Sequence, residues 1–126
     1  MPYRYLHTSD IHFGAGRRLT PKKLDYLERH KAVLQRVLKL AVKQHVNFIL
    51  VSGDIFESAG TSIEELLAAY EIFSEMGEVC PVIATAGNHD ELAVGQFQTE
   101  WLRLLNIPNV HFVSKPSLIN LNVGNE

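Results

Sequence analysis

Residues 46–54 read VNFILVSGD, a continuous apolar run that stops at Ser52 and Gly53 and is followed at once by Asp54. A short apolar run without polar alternation is typical of a parallel strand that is buried on both faces. Glycine allows the backbone to turn sharply directly after such a strand. This stretch therefore predicts a buried strand that delivers a carboxylate to one end of a sheet.

Shorter segments rich in strand-forming residues lie on both sides of this run. We predict them as further strands, at residues 4–8, 81–85, 110–113 and 118–121. Between the strands, apolar residues with helical spacing predict an amphipathic helix over residues 22–44. A second helix is predicted to begin at Thr61 or Ser62 and to end before Gly77, and a third to cover residues 97–105. This alternation predicts an α/β fold with a mainly parallel sheet flanked by helices.

The composition limits the class of protein. The 126 residues, 46% of them hydrophobic and 21% charged, suit one globular domain spanning residues 1–126 and exclude disordered and fibrous classes. No apolar run is long enough to span a bilayer, and the first residues do not resemble a signal peptide. With Cys80 as the single cysteine, we expect a cytoplasmic protein without a disulfide and without a membrane partner.

Charge is distributed unevenly along the chain. Residues 1–45 contain ten basic and three acidic residues, whereas residues 46–126 contain two basic and eleven acidic ones. The basic part could face an anionic partner such as nucleic acid. We favour the alternative, in which these charges are the solvated face of the first helix, where Lys31, Arg36, Lys39 and Lys43 lie.

Three polar clusters follow three of the predicted strands. They read DIH at residues 10–12, GD at 53–54 and GNHD at 87–90. Because parallel strands end at the same edge of a sheet, we expect Asp10, His12, Asp54, Asn88 and His89 to lie on one rim. Oxygen ligands mixed with imidazole suit Mn²⁺, Fe²⁺ or Zn²⁺ better than Ca²⁺. Each cluster alone is common in turns and helix caps, so the prediction of a metal site depends on finding all three in order.

The remaining histidines are outside these clusters. We interpret His7, His30, His45 and His111 as structural or surface residues rather than as metal ligands.

These clusters resemble the opening motifs of the calcineurin-like metallophosphoesterases, which read Asp-x-His, Gly-Asp and Gly-Asn-His-Asp or -Glu. Within that superfamily the segments HTSDIHFG (7–14), SGDIFE (52–57) and AGNHD (86–90) look like the SbcD-type DNA double-strand-break repair exonucleases. The protein serine/threonine phosphatase branch is less similar, because its Arg-Gly after the second motif is missing here.

The resemblance implies a role for each residue of the rim. Asp10 and His12 would bind one metal ion, Asp54 would bridge two ions, and Asn88 would bind the second. His89 would be the catalytic side chain that meets the phosphate and assists the leaving oxygen. The implied cofactors are two divalent ions, with Mn²⁺ favoured and Fe²⁺, Zn²⁺ or Mg²⁺ as alternatives, and the implied reaction is two-metal phosphodiester hydrolysis.

Three functions stay open at this point. The first is part of a DNA repair exonuclease or endonuclease, with DNA as substrate and an SbcC-type ATPase as partner. The second is a phosphodiesterase or phosphatase that acts on small phosphoesters. The third is a non-catalytic module in which Phe97, Trp101, Leu104 and Leu105 form a homodimer contact, although ordinary core packing would explain the same stripe.

The family pattern also has a second half, an isolated histidine followed by Gly-His-x-His. After residue 90 this sequence contains one histidine, His111. We therefore expect the chain to correspond to the amino-terminal part of the domain, and a natural short form, a truncated version or a proteolytic fragment would all fit. With three side chains for the first ion and two for the second, we expect the chain alone to bind one ion well and to be essentially inactive.

Overall fold

The fold consists mainly of four parallel strands and two long helices. This computed structural model describes residues 2–13, 25–56, 62–85, 102–113 and 116–123. The strands are β1 (Tyr5–Ser9), β2 (Phe48–Ser52), β3 (Val82–Thr85) and β4 (Val110–Val113), and the helices are α1 (Asp25–Lys43) and α2 (Ile63–Val79). In the described residues, no helix combines the length and the apolar character that crossing a membrane would require.

The strands are adjacent in the order in which they occur along the chain. Each neighbouring pair is parallel, with Ser9 opposite Ser52, Ile49 opposite Val82, and Thr85 opposite Val113. A helix follows β1 and another follows β2, as expected for right-handed crossover connections. The predicted α/β fold with a parallel sheet is confirmed.

The core lies between one face of the sheet and the helices. Alternate residues of the central strands are buried, among them Ile49, Val51 and Val82. Phe73 of α2 packs edge-on against Phe112 of β4, with the ring centroids 5.1 Å apart. Burial of such aliphatic and aromatic side chains contributes about 1.5–3 kcal/mol each.

Of the two caps that the sequence allows for α2, Thr61 and Ser62, the structure has Ser62. Ser62 is the N-cap; its hydroxyl accepts from the Glu65 backbone N–H at 3.2 Å, and the Glu65 side chain accepts from the Ser62 backbone N–H. Glu65 is fully buried and also accepts a hydrogen bond from the Tyr26 hydroxyl of α1. A second link between the helices is the ion pair of Lys31 with Glu71.

Two predictions about element boundaries are wrong. Gly77 lies inside α2, which continues to Val79, because residues 108–110 pack so closely against the helix that a side chain at this position would overlap them. Residues 118–121 do not form a strand, and Leu118 is fully exposed, so this short apolar segment has no sheet partner in the described residues.

Only part of the third helix predicted from the sequence lies in the described residues. Residues 102–104 are helical, whereas residues 97–101, which include Phe97 and Trp101, lie outside the described residues. Leu104 and Leu105 are 73% and 40% exposed, so core packing does not account for these two side chains.

We predict that Gly77→Ala destabilises the protein. A Cβ at Gly77 would lie 2.5 Å from the Pro108 carbonyl oxygen, and relieving that overlap costs about 1–3 kcal/mol, more than the roughly 1 kcal/mol gained in helix propensity. Urea unfolding should show the loss. Ser74→Ala is the control on the same helix, since the Ser74 hydroxyl is buried without a partner in the described residues, and it should leave the free energy of unfolding unchanged or slightly higher. Equal stability of Gly77→Ala and the wild type would contradict the prediction.

Candidate metal centre

The segments that follow β1 and β2 run side by side beyond the ends of the strands. The backbone N–H of His12 donates to the Asp54 carbonyl at 2.9 Å, and that of Phe13 donates to the Ile55 carbonyl at 2.8 Å. Phe13 also forms an isolated parallel bridge with Phe56. Backbone hydrogen bonds therefore hold the segment with Asp10 and His12 against the segment with Asp54.

Buried apolar residues lie close to the polar ones in both segments. Ile11 and Phe13 are buried on the first segment, and Ile55 and Phe56 are buried on the second. Their side chains are in the core, while the polar side chains are more accessible: 64% for Asp10, 22% for His12 and 18% for Asp54. The buried apolar neighbours thus anchor the backbone, while the carboxylates and the imidazole stay partly accessible.

The backbone of these polar residues is in an unusual conformation. Asp10, His12 and Asp54 have φ angles of 56°, 53° and 51°, and Gly53 has a φ of 72°. Only glycine adopts the left-handed region readily, and other residues pay about 1–3 kcal/mol there. Such strain concentrates at functional sites, where the surrounding structure imposes it. Of the six non-glycine residues with a positive φ in the described part of the chain, three lie in this cluster, and the others, His45, Asn106 and Asn109, lie in turns. The grouping of three such residues indicates a functional site.

The ligand atoms of the three side chains converge. Asp10, His12 and Asp54 each offer one ligand atom within 4.8 Å of the others. His12 Nε2 lies 3.3 Å from Asp10 Oδ1 and 3.9 Å from Asp54 Oδ2. Two atoms that are each about 2.1 Å from one ion lie at most about 4.2 Å apart, so both separations fit a shared divalent ion. Two carboxylates with one imidazole are also a donor set that Mn²⁺, Fe²⁺ or Zn²⁺ accepts.

The charge state of Asp10 suits metal binding. The Ser9 hydroxyl donates to Asp10 Oδ2 at 2.9 Å, and this hydrogen bond is the main reason that the pKa of Asp10 lies below its usual value. The hydrogen bond with His12 lowers the pKa further. A metal ligand must be deprotonated, and Asp10 is therefore ready to bind at neutral pH.

One histidine of α1 lies behind the Asp10–Phe13 segment. The His30 ring stacks on Phe13 with the centroids 4.9 Å apart. Burial lowers the pKa of His30. The sequence grouped His30 with the structural and surface histidines, since nothing in the spacing along a helix shows which side chain reaches another segment.

The structure brings together three of the five residues predicted for the rim. Asp10, His12 and Asp54 form the cluster, whereas Asn88 and His89 lie outside the described residues. The strand before them ends next to the cluster, because the Gly53 N–H donates to the Thr85 carbonyl at 2.9 Å. The roles of all five side chains stay predictions.

A family comparison agrees with this fold. The family model for the calcineurin-like phosphoesterases matches residues 3–124. The chain therefore belongs to the calcineurin-like phosphoesterase family, whose members use divalent metal ions.

Among individual proteins, the chain is similar to three relatives at 29% identity. The uncharacterized metallophosphoesterase YhaO of Bacillus subtilis matches 87% of this chain and 27% of its own length. The DNA double-strand break repair protein Mre11 of Saccharolobus solfataricus matches 68% and 22%, and the SbcD subunit of the nuclease SbcCD of Escherichia coli K12 matches 82% and 25%. The chain thus spans about a quarter of the length of these relatives.

The lowered pKa of His30 predicts a pH dependence of stability. Below the ordinary histidine pKa of about 6.5, the unfolded chain binds a proton at this position more readily than the folded chain does. This contribution to stability is therefore lost as the pH falls through that value. His30→Phe, which keeps a ring next to Phe13 but cannot be protonated, should lose less free energy of unfolding between about pH 7.5 and about pH 5.5 than the wild type. Urea titrations with EDTA at both pH values measure this, and identical losses would refute it.

Proposed function

We propose that the chain contributes the first metal ligands of a metal-dependent phosphodiesterase that acts on DNA. The observation that carries this proposal is the cluster of Asp10, His12 and Asp54 after two adjacent parallel strands, in a member of a metal-using phosphoesterase family. Residues 1–126 would form one domain that corresponds to the amino-terminal part of the phosphoesterase domain.

Each side chain has a distinct role in this proposal. Asp10 and His12 would hold the first ion, Asp54 would be shared by both ions, and Asn88 would add a neutral oxygen ligand to the second without placing a further negative charge before the phosphate. His89 touches the phosphate and gives a proton to the leaving oxygen. The two divalent ions, when bound, make water a strong nucleophile near neutral pH.

The names of the relatives favour DNA as the substrate. Two of them are named as a DNA double-strand break repair protein and as a nuclease subunit. The Bacillus subtilis relative is named only as a metallophosphoesterase, so hydrolysis of small phosphoesters is the second candidate function. A full-length protein that degrades single-stranded DNA with Mn²⁺, and loses this activity with a chelator, would support the first candidate over the second.

We further propose Mn²⁺ as the ion, a cytoplasmic location, and two protein partners. One is an SbcC-type ATPase, because the SbcD relative is named as one subunit of the nuclease SbcCD.

The other partner is a second copy of the chain, which the exposed side chains of Leu104 and Leu105 would contact. Sedimentation of the wild type and of Leu104→Lys tests the second copy, and the variant should shift towards the monomer.

A bridging role for Asp54 predicts a difference between two carboxylate variants. In the full-length protein, Asp54→Asn should weaken the binding of both ions, whereas Asp10→Asn should mainly weaken one. Calorimetric titration with Mn²⁺ resolves the two sites. Glu78→Gln, which removes an exposed carboxylate of α2, is the matched control and should bind as the wild type does. Equal single-site losses in both Asp variants would exclude the bridge.

The 126-residue chain offers a second test by the same titration. It supplies three side chains to the first ion and two to the second, so it should bind one Mn²⁺ well and hydrolyse DNA very slowly. Two tightly bound ions with clear turnover would mean that further ligands, for example from a second copy, complete the site.

His89→Ala should separate catalysis from metal binding. A group that transfers one proton contributes about 10²–10⁴-fold to turnover, so the full-length variant should lose that much activity while it keeps its metal content. Metal analysis and hydrolysis of single-stranded DNA measure the two quantities. A variant that has lost its metals would show that His89 is a ligand or a structural residue instead.

A further inference from the structure

Ser9 donates its side-chain hydroxyl to one particular oxygen of the first proposed ligand. The hydrogen bond from Ser9 Oγ to Asp10 Oδ2 is 2.9 Å long. The other carboxylate oxygen, Asp10 Oδ1, lies 3.3 Å from His12 Nε2. The two oxygens of Asp10 therefore have different partners, and Oδ1 is the one that lies next to the second proposed ligand.

This contact depends on the backbone conformation of Asp10. In a regular strand the side chains of consecutive residues point to opposite faces, so they are poorly placed to share a hydrogen bond. Ser9 is the last residue of β1 and is paired with Ser52 across the sheet, whereas Asp10 already has a left-handed φ of 56°. The turn at Asp10 thus brings its carboxylate within reach of the Ser9 hydroxyl.

The Asp10 side chain needs such a partner to keep one orientation. It is 64% exposed, and the carboxylate of an aspartate rotates with little preference about its last side-chain bond. Ser9, in contrast, is held in place because β1 is paired with β2 along its whole length. A hydroxyl on this fixed strand can therefore restrict the carboxylate to the orientation in which Oδ1 lies next to His12.

We propose that Ser9 is a positioning residue, whose hydroxyl holds Oδ2 of Asp10 so that Oδ1 is presented to a divalent ion together with His12. This inference rests on the proposed metal-binding function of the cluster. Ser9 touches neither the ion nor the substrate; it acts through the Asp10 carboxylate. Hydrogen-bond partners of metal ligands typically contribute about 10–100-fold to metal affinity.

Ser52 provides a matched comparison within the same sheet. It lies directly opposite Ser9 in the strand pairing, and a proposed ligand, Asp54, follows it two residues later. Its hydroxyl, however, is hydrogen-bonded to His7 Nε2 at 2.6 Å rather than to a carboxylate. Both serines are exposed, so replacing either one by alanine should leave the fold intact. The two alanine variants thus separate the support of a ligand from a general effect on the sheet.

The experiment compares Ser9→Ala, Ser9→Thr and Ser52→Ala in the 126-residue chain by calorimetric titration with Mn²⁺ at neutral pH. Ser9→Ala should lower the affinity by about tenfold or more, whereas Ser52→Ala should bind as the wild type does. Ser9→Thr keeps a hydroxyl in a strand, where threonine is well tolerated, and should restore most of the affinity. Urea unfolding of the metal-free proteins should show similar stability for all variants, so that a loss of affinity is not a loss of fold.

The outcomes distinguish this inference from the proposed function. Asp54→Asn is measured in parallel and should abolish tight binding of Mn²⁺. If Asp54→Asn weakens binding and Ser9→Ala does not, the positioning role is wrong and the metal site stands. An equal loss in Ser9→Ala and Ser52→Ala, or a Ser9→Thr variant as weak as Ser9→Ala, would also overturn the positioning role. A wild-type chain that binds no Mn²⁺ would overturn both proposals.

Discussion

The parallel pairing of β1 with β2 continues past the ends of the strands, and the candidate site depends on this continuation. Ser9 and Ser52 are the last paired residues of the strands, and three further backbone hydrogen bonds then join Asp10 to Gly53, His12 to Asp54 and Phe13 to Ile55. The main chain therefore sets the spacing of the carboxylates and the imidazole. Side chains alone, with their free rotations, would hold three charged or polar groups this close together only at a high cost in conformational entropy.

The strained backbone of the three polar residues costs free energy, and burial of apolar side chains a few residues away offsets this cost. Asp10, His12 and Asp54 adopt left-handed backbone conformations that cost about 1–3 kcal/mol each. The buried side chains of Phe13 and Phe56, next to them in sequence, contribute about 1.5–3 kcal/mol each. Burial of the apolar residues thus compensates for the strain of the polar ones. A bound cation would further favour the folded state, because it would interact with carboxylates that otherwise repel each other.

The uneven distribution of charge has a partly internal explanation. The basic helix α1 packs next to the acidic helix α2, and Lys31 is paired with Glu71. Arg36, Lys39 and Lys43 are on α1, where Lys39 and Lys43 are exposed, as expected for a solvated helix face. The opposite charges of the two helices therefore favour their packing, although one partly exposed ion pair contributes no more than about 1 kcal/mol.

The sequence by itself determined the class of fold and the three residues of the cluster. Parallel strands that are followed by Asp-x-His and Gly-Asp allow few arrangements, because such strands place their carboxyl ends together. The sequence narrowed the cap of α2 to Thr61 or Ser62, because both residue types can accept from backbone N–H groups of a first helical turn, and the structure selects Ser62. The tertiary structure alone decided features that depend on contacts between distant segments. Gly77 lies inside α2 because residues 108–110 pack against it, residues 118–121 have no sheet partner in the described part of the chain, and His30 reaches the Asp10–Phe13 segment. A sequence pattern reflects the structural preferences of residues that are close together in the chain. These three outcomes depend instead on which residues from distant parts of the chain pack against each segment.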